Sequence, residues 1–226
     1  MALSVLFCGY RDWADRIYRN LLRRFSGQVV FSTVRDPGGL AAALDVHAPD
    51  LALFVGWSWI VPAARVQRHF CVCLHPSPLP RYRGGSPLQH QILRGEKESA
   101  VTLFRMNERV DTGPILWKRP FSLEGDLDVI FDRIVDTGSA GLDELIRAML
   151  AGETIPQEPQ NEAQATHFRR RTPDQSEIRL ADFKECTAPE LYDKIRALQD
   201  PYPNAFVVCK GATRLYLTRA RIEERP

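Results

Sequence analysis

What this sequence lacks narrows its class before any motif is considered. It has no apolar run approaching the ~20 residues of a membrane-spanning helix. It has no G-x-G-x-x-G and no G-x-x-x-x-G-K-[ST], and almost no net charge, since 30 Lys and Arg face 28 Asp and Glu to leave +2. These absences exclude, in turn, a helical membrane span, a glycine-rich phosphate loop and a general pull onto nucleic acid or anionic lipid. The cysteines, Cys8, Cys71, Cys73, Cys186 and Cys209, form an odd set without framework spacing, which argues for reduced thiols and a cytoplasmic setting. The first residues are apolar without a basic leader and turn polar at Arg11 and Asp12, so they read as a buried strand rather than a signal peptide. With 226 residues, 44% hydrophobic and 26% charged, the chain fits one domain, or one with a small appendage, whose core needs no disulfide or metal.

Apolar periodicity sets out the elements. Residues 4–8 read as a strand, followed by Trp13, Ala14, Ile17, Tyr18, Leu21 and Leu22 at helical spacing. Strands at 29–34, 51–55, 70–74 and 100–106 alternate with helices at 39–46 and 86–93, and a long amphipathic helix runs from Leu127 through Met149 to a stop at Gly152. Such alternation implies parallel strands joined by helical crossovers. Residues 153–164 read as a linker or a surface-hugging connection. Beyond them come a basic stretch at 167–172, a helix at 189–198 and a hairpin in which 205–208 and 214–217 flank Lys210-Gly211. The expected fold is α/β: a Rossmann-like, mostly parallel sheet flanked by helices over residues 1–165, with a small α+β C-terminal subdomain over 166–226.

An open parallel sheet without a phosphate loop binds its ligand at the carboxyl ends of its strands. There the fourth strand exits through Cys73-Leu74-His75-Pro76-Ser77-Pro78-Leu79-Pro80-Arg81-Tyr82-Arg83-Gly84-Gly85, a histidine on a rigid platform before a proline-stiffened loop. Asp111, in Arg109-Val110-Asp111-Thr112-Gly113 just past the fifth strand, would stabilise the protonated imidazole if the two strands are neighbours. Taken singly, each signal is weak: a lone histidine is usually a satisfied structural one, and Asp-Thr-Gly is ordinary turn chemistry. Cys71, Cys73 and His75 alternate on one strand face, but no second ligand cluster completes a metal site and none is assigned.

Together, H-P-S-x-L-P-x-Y-R-G at residues 75–84 and V-D-T-G at 110–113 resemble the signature of the folate-dependent formyltransferases. Tyr82-Arg83-Gly84, Arg94-Gly95-Glu96, Val101-Thr102-Leu103 and Met106-Asn107-Glu108 are similar to the tRNA and sugar branches of that family, and residues 170–176 and 200–206 resemble the sugar N-formyltransferase branch. The resemblance implies a catalytic domain over 1–165 that moves a formyl group from 10-formyltetrahydrofolate, the co-substrate, to a primary amine. It implies that His75 is the proton donor or oxyanion partner, with Asp111 tuning its charge. It also implies that Trp59, Ile60 and Val61, together with the turn Asn107, Glu108, Arg109, Val110 and Asp111, grip the pterin largely through backbone groups, with Gly85 a further folate contact. A flat heteroaromatic ring suits apolar walls and a few backbone hydrogen bonds. The family motif is N-x-H, and Cys73 stands at its asparagine position. A thiol is a weak donor, and one oxyanion donor is worth on the order of 10²–10³ in turnover. Three alternatives stay open: a slow enzyme relying on His75, a ligand-binding protein without turnover, or a Cys73 nucleophile.

For the acceptor, the tRNA branch carries a larger second domain than the roughly sixty residues found after the linker, about half of a typical domain. A nucleotide-linked amino sugar, of the kind used in lipopolysaccharide or O-antigen biosynthesis, is therefore expected rather than nucleic acid. An aminoacyl group on tRNA or on a peptide synthetase is the rival, and no membrane partner is expected. Arg169, Arg170, Arg171, Arg214, Arg219, Arg221 and Arg225 are the candidate phosphate contacts. The family often pairs subunits through the second domain, which leaves a homodimer through the hairpin at residues 204–219 open.

Overall fold

The computed structural model describes residues 2–223. Its first half alternates as the apolar runs dictate: β1 (Leu3–Cys8), α1 (Asp12–Arg24), β2 (Val29–Val34), α2 (Pro37–His47), β3 (Leu51–Val55), α3 (Ala63–Arg68) and β4 (Cys71–His75). The α1 stripe of Trp13, Ala14, Ile17 and Leu21 is buried, with Asp12 and Asp15 in its first turn and Arg23 and Arg24 in its last, charges that complement the helix dipole. All five β3 residues are buried, as befits a strand covered on both faces. After β4 come β5 (Arg83–Gly84), α4 (Pro87–Ile92), β6 (Glu98–Arg105), β7 (Ile115–Ser122), α5 (Leu127–Leu150), β8 (His167–Phe168), α6 (Asp182–Glu185), α7 (Ala188–Arg196), β9 (Ala205–Val208) and β10 (Arg214–Leu217).

The six-stranded sheet has the order β2-β1-β3-β4-β6-β7. Its first four strands are parallel, as expected, but β4–β6 and β6–β7 are antiparallel. β7, not foreseen from the sequence, is an edge strand where Pro120 is tolerated. α1 and α5 cover one sheet face and α2 and α3 the other, each over its own apolar cluster.

The antiparallel turn of β6 corrects one step of the sequence argument. His75 pairs with Thr102 and Val72 with Arg105, so β6 ends at the sheet edge away from His75. The turn at 106–114 makes up the difference by folding back over the face that carries Cys73. Its two ends are clamped to the strands, with Met106 N–H donating to the Cys71 carbonyl at 2.8 Å and Arg105 N–H to the Pro114 carbonyl at 2.9 Å.

The chain after 166 docks on this framework at two places. β8 runs parallel to β5, pairing Arg83 with His167 and Gly84 with Phe168. Buried Arg196 donates to the carbonyls of Leu123 (2.6 Å) and Gly125 (3.0 Å). Ile178, Ile195, Leu198 and Ala205 form a small core of their own beneath the β9–β10 hairpin. Among the described residues no helix is long and apolar enough to cross a membrane.

Candidate active site

β4 delivers His75 to the carboxyl edge of the sheet, and the loop after it is pinned from below. Thr102 Oγ1 donates to the Ser77 carbonyl (2.7 Å), and Ser77 Oγ donates to the Arg81 carbonyl (2.9 Å). The loop therefore presents the Tyr82 carbonyl 2.9 Å from His75 Nε2. A carbonyl can only accept, so the neutral imidazole keeps its proton on Nε2 and leaves the Nδ1 lone pair free. Nδ1 lies 3.8 Å from Asp111 Oδ2. That separation is too long for a hydrogen bond and becomes an ion pair only when the imidazole is protonated. The same carboxylate oxygen accepts the Gly84 N–H at 2.7 Å, so the loop after β4 and the turn after β6 are tied together at the pair.

Asp111 holds a left-handed backbone with φ 55°, a conformation that costs energy unless its surroundings impose it. Gln160 imposes it. Its amide donates to the carbonyls of Asp111 (3.0 Å) and Gly113 (2.7 Å), while its Oε1 accepts from Arg83 Nε (3.0 Å) and Nη2 (2.8 Å). Arg83 is completely buried and is closed off by Glu162, which accepts from Nη1 (3.0 Å) and Nη2 (2.9 Å). The guanidinium in turn holds the Glu162 carboxyl below the usual carboxylate range. Of the two readings open for 153–164, the surface-hugging connection is the one found, and it works as a strap on the site. Its polar, aperiodic sequence carries no signal of this role.

A cavity of about 610 Å³ opens beside the pair. It brings together the catalytic and folate-contact candidates, Cys73, His75 and Asp111, then Trp59, Ile60, Val61 and Gly85, and Asn107, Glu108, Arg109 and Val110; of the candidate phosphate contacts among the described residues only Arg170 and Arg171 line it. Trp59 and Ile60 stand at its mouth, 40% and 77% exposed, whereas Val61 is buried. Trp57 stacks edge-on against Trp59 at 4.9 Å, and its buried Nε1 has no partner. Asn107 Oδ1 accepts from Arg109 N–H (3.1 Å) and Thr112 Oγ1 (2.9 Å), a local turn that aims the neighbouring backbone.

Cys73 packs among Leu79, Phe104, Ile115 and Met106. Burial, reinforced by the Asp111 charge, pushes its thiol well above the ordinary range. A thiolate is thus disfavoured at this position, which removes the ground for a Cys73 nucleophile.

The sequence reading missed several residues lining the same cavity: Arg11, Trp13, Gln89, Phe104 and Tyr202. Arg11 had a usable signal, because it follows β1, another strand whose carboxyl end faces this edge. Glycine has a role of its own at Gly84 and Gly85. Gly84 has φ 95°, and a Cβ there would meet the Phe168 carbonyl oxygen at 2.2 Å; one at Gly85 would stand 2.5 Å from the Arg170 backbone. Only bare backbone lets the 168–171 segment lie against the site. Arg219 and Arg221 are exposed beside Asp126 and Glu223 and do not line the cavity, while Arg225 lies outside the described residues.

Residues 32–144, half of the chain, match the formyl transferase family. The chain belongs to that family. A methionyl-tRNA formyltransferase of Nitrosomonas europaea is 33% identical over 187 residues, covering 81% of this chain and 56% of the relative. This formyl transferase therefore spans about half the length of the curated relative it matches. A solved methionyl-tRNA formyltransferase from Clostridium thermocellum is 29% identical with a TM-score of 0.86, covering 98% of this chain and 94% of that one. A sugar N-formyltransferase from Shewanella shares the fold, with a TM-score of 0.72 at 19% identity and 99% of both chains covered.

Proposed function

We propose that this formyl transferase moves a formyl group from 10-formyltetrahydrofolate to a primary amine, and that the amine belongs to a nucleotide-linked amino sugar. The observation that carries the reading is His75 Nδ1 held 3.8 Å from Asp111 Oδ2 beside a cavity of ligand-pocket size. The surrounding residues fit a reduced folate. Val61, Phe104 and Met106 supply apolar walls, the 107–111 turn supplies backbone groups, and the orphaned Trp57 Nε1 calls for an acceptor atom on a ligand. When bound, the folate would supply the electrophilic formyl carbon. His75 Nε2–H is committed to the Tyr82 carbonyl, so Nδ1 is the atom that would take the proton shed by the attacking amine and return it to the tetrahydrofolate nitrogen as its bond to the formyl carbon breaks. Asp111 then stabilises the imidazolium that forms. Cys73 lines the site in place of a strong donor, so the reading includes slow turnover.

Support for the acceptor comes from where the sugar-like segments lie. Arg170 to Pro173, Ser176, and Pro201 to Pro203 all line the cavity shared with His75. A second reading, an aminoacyl acceptor, is favoured by the 33% identity to a methionyl-tRNA formyltransferase. The test incubates the protein with 10-formyltetrahydrofolate and either UDP- and TDP-linked amino sugars or methionyl-tRNA, and reads products by mass spectrometry. The expected result is a carbonyl mass gain on an amino sugar. Formylation of methionyl-tRNA alone selects the second reading, and no transfer to any amine while the folate still binds overturns both.

A further inference from the structure

We infer that Arg11, Arg170 and Arg171 form an anion subsite in the cavity beside His75, and that it takes the diphosphate of the amine-bearing substrate. The inference rests on the acceptor reading above and deepens it. All three arginines line the cavity, and they reach it from opposite ends of the chain. Arg11 follows β1, where its aliphatic stem packs on Gly56 and its guanidinium lies 4.7 Å from the Tyr10 ring centre. Arg170 and Arg171 arrive with the segment that β8 pairs to β5. Gly85 N–H donates to the Phe168 carbonyl (2.9 Å), and Arg171 N–H donates to Ser86 Oγ (3.1 Å). The basic segment is thus fixed next to Gly84, whose N–H holds Asp111.

The three charges lack a direct ion-pair partner among the described residues. Arg16, Arg24, Arg35 and Arg65 each reach a carboxylate within 3 Å on the surface. Among the described residues none of the three cavity arginines has a carboxylate within ion-pair distance. Asp111 is engaged by His75 and Gly84, and Glu108 by Gln67. Arg171 Nε is buried with no partner, and burial lowers its pKa against the more distant pull of Asp174. Arg171 is half-buried and its Nη2 donates to the Gln175 carbonyl, so its buried Nε is the donor left over for an anion. Both Arg11 and Arg170 act electrostatically on the Tyr202 phenol, opposing the rise that burial causes, so their charges converge on one wall. Gln89 lies on the same lining with its side chain against the Tyr202 hydroxyl. Forked guanidinium donors suit phosphate oxygens, and three of them more than neutralise the two charges of a sugar-linked diphosphate. All three line one cavity with His75, which favours one small molecule over an RNA backbone.

Isothermal titration with inorganic pyrophosphate and with UDP tests the subsite without turnover. The parent should bind both saturably. Arg11→Gln, Arg170→Gln and Arg171→Gln should each weaken binding at least tenfold, and the Arg11→Gln/Arg170→Gln pair should abolish it. Arg221→Gln, distant and exposed, should match the parent, and 5-formyltetrahydrofolate binding should survive in every variant, reporting an intact fold. Absence of saturable pyrophosphate and UDP binding, equal loss in Arg221→Gln, or tighter binding of an acceptor-stem RNA than of UDP at these residues would overturn the inference. If the arginine-dependent binding holds while 5-formyltetrahydrofolate fails to bind even the parent, the subsite stands and the formyl-transfer reading falls.

Discussion

Replacing Gln160 with Leu isolates the strap that holds Asp111. The substitution deletes two hydrogen bonds accepted from the buried Arg83 guanidinium and two donated to the carbonyls of Asp111 and Gly113. Bonds to a charged group contribute about 1.5–3 kcal/mol each and neutral ones about 1 kcal/mol, so the gross loss is about 5–8 kcal/mol. Glu162 still pairs with Arg83, and Gln160 is only half-buried, so water re-enters and the net cost falls to about 2–4 kcal/mol. For a chain of this size each kcal/mol lowers Tm by about 2–4 °C, which predicts a drop of about 4–16 °C by calorimetry. Gln160→Glu separates the two functions of the strap. It keeps an acceptor for Arg83 but turns a carboxylate toward two carbonyls, so it should melt closer to the parent while still loosening the Asp111 turn and weakening 5-formyltetrahydrofolate binding several-fold. If Gln160→Leu melts within about 1 °C of the parent and binds the folate equally well, the strap has neither role.

Two further outcomes follow from Cys73. Cys73→Asn should raise formyl transfer about 10- to 100-fold, a fraction of what a full oxyanion donor is worth because its neighbours are apolar; no change in a substrate-matched assay discards the idea. At pH 8 a disulfide reagent should label only the exposed Cys186 and Cys209, because burial pushes Cys71 up to about 12 and raises Cys8 and Cys73 strongly. Thiolates are scarce wherever the thiol pKa lies above the working pH, so rapid labelling of Cys73 would contradict its placement.

What could be read from the sequence was what burial dictates. The runs that became β1, β3 and β4 are continuous because helices cover both sheet faces, and the stripe that became α5 repeats at helical spacing because one face meets the sheet. β7 escaped because Lys118, Arg119 and Pro120 interrupt its buried ends, and α3 because six residues hold too little period. His75 and Asp111 were legible as residue types in a known motif, although the route that brings them together was not. A parallel fifth strand would have set both at one edge, whereas the observed strand is antiparallel and its turn folds back. Gln160, Arg83 and Arg11 act through hydrogen bonds and charge, which impose no periodicity on a sequence.

The fold also bears on the boundary at residue 165. A cut there leaves the six-stranded sheet and both of its large apolar clusters almost complete, so by core content alone residues 1–165 should stand by themselves. Three losses argue otherwise. Gly84 and Gly85 lose their pairing with β8, which bares backbone that has no side chains to shield it. Tyr82 loses the Phe168 ring stacked at 5.2 Å. The cavity loses Arg170, Arg171 and Tyr202, one whole wall. The fragment 1–165 should therefore retain helix and sheet by circular dichroism while failing to bind pyrophosphate, and its 80–86 loop should exchange amide protons far faster than in the full chain. Parent-like protection of Gly85 in the fragment would show that the later segment merely rests on a site already formed without it.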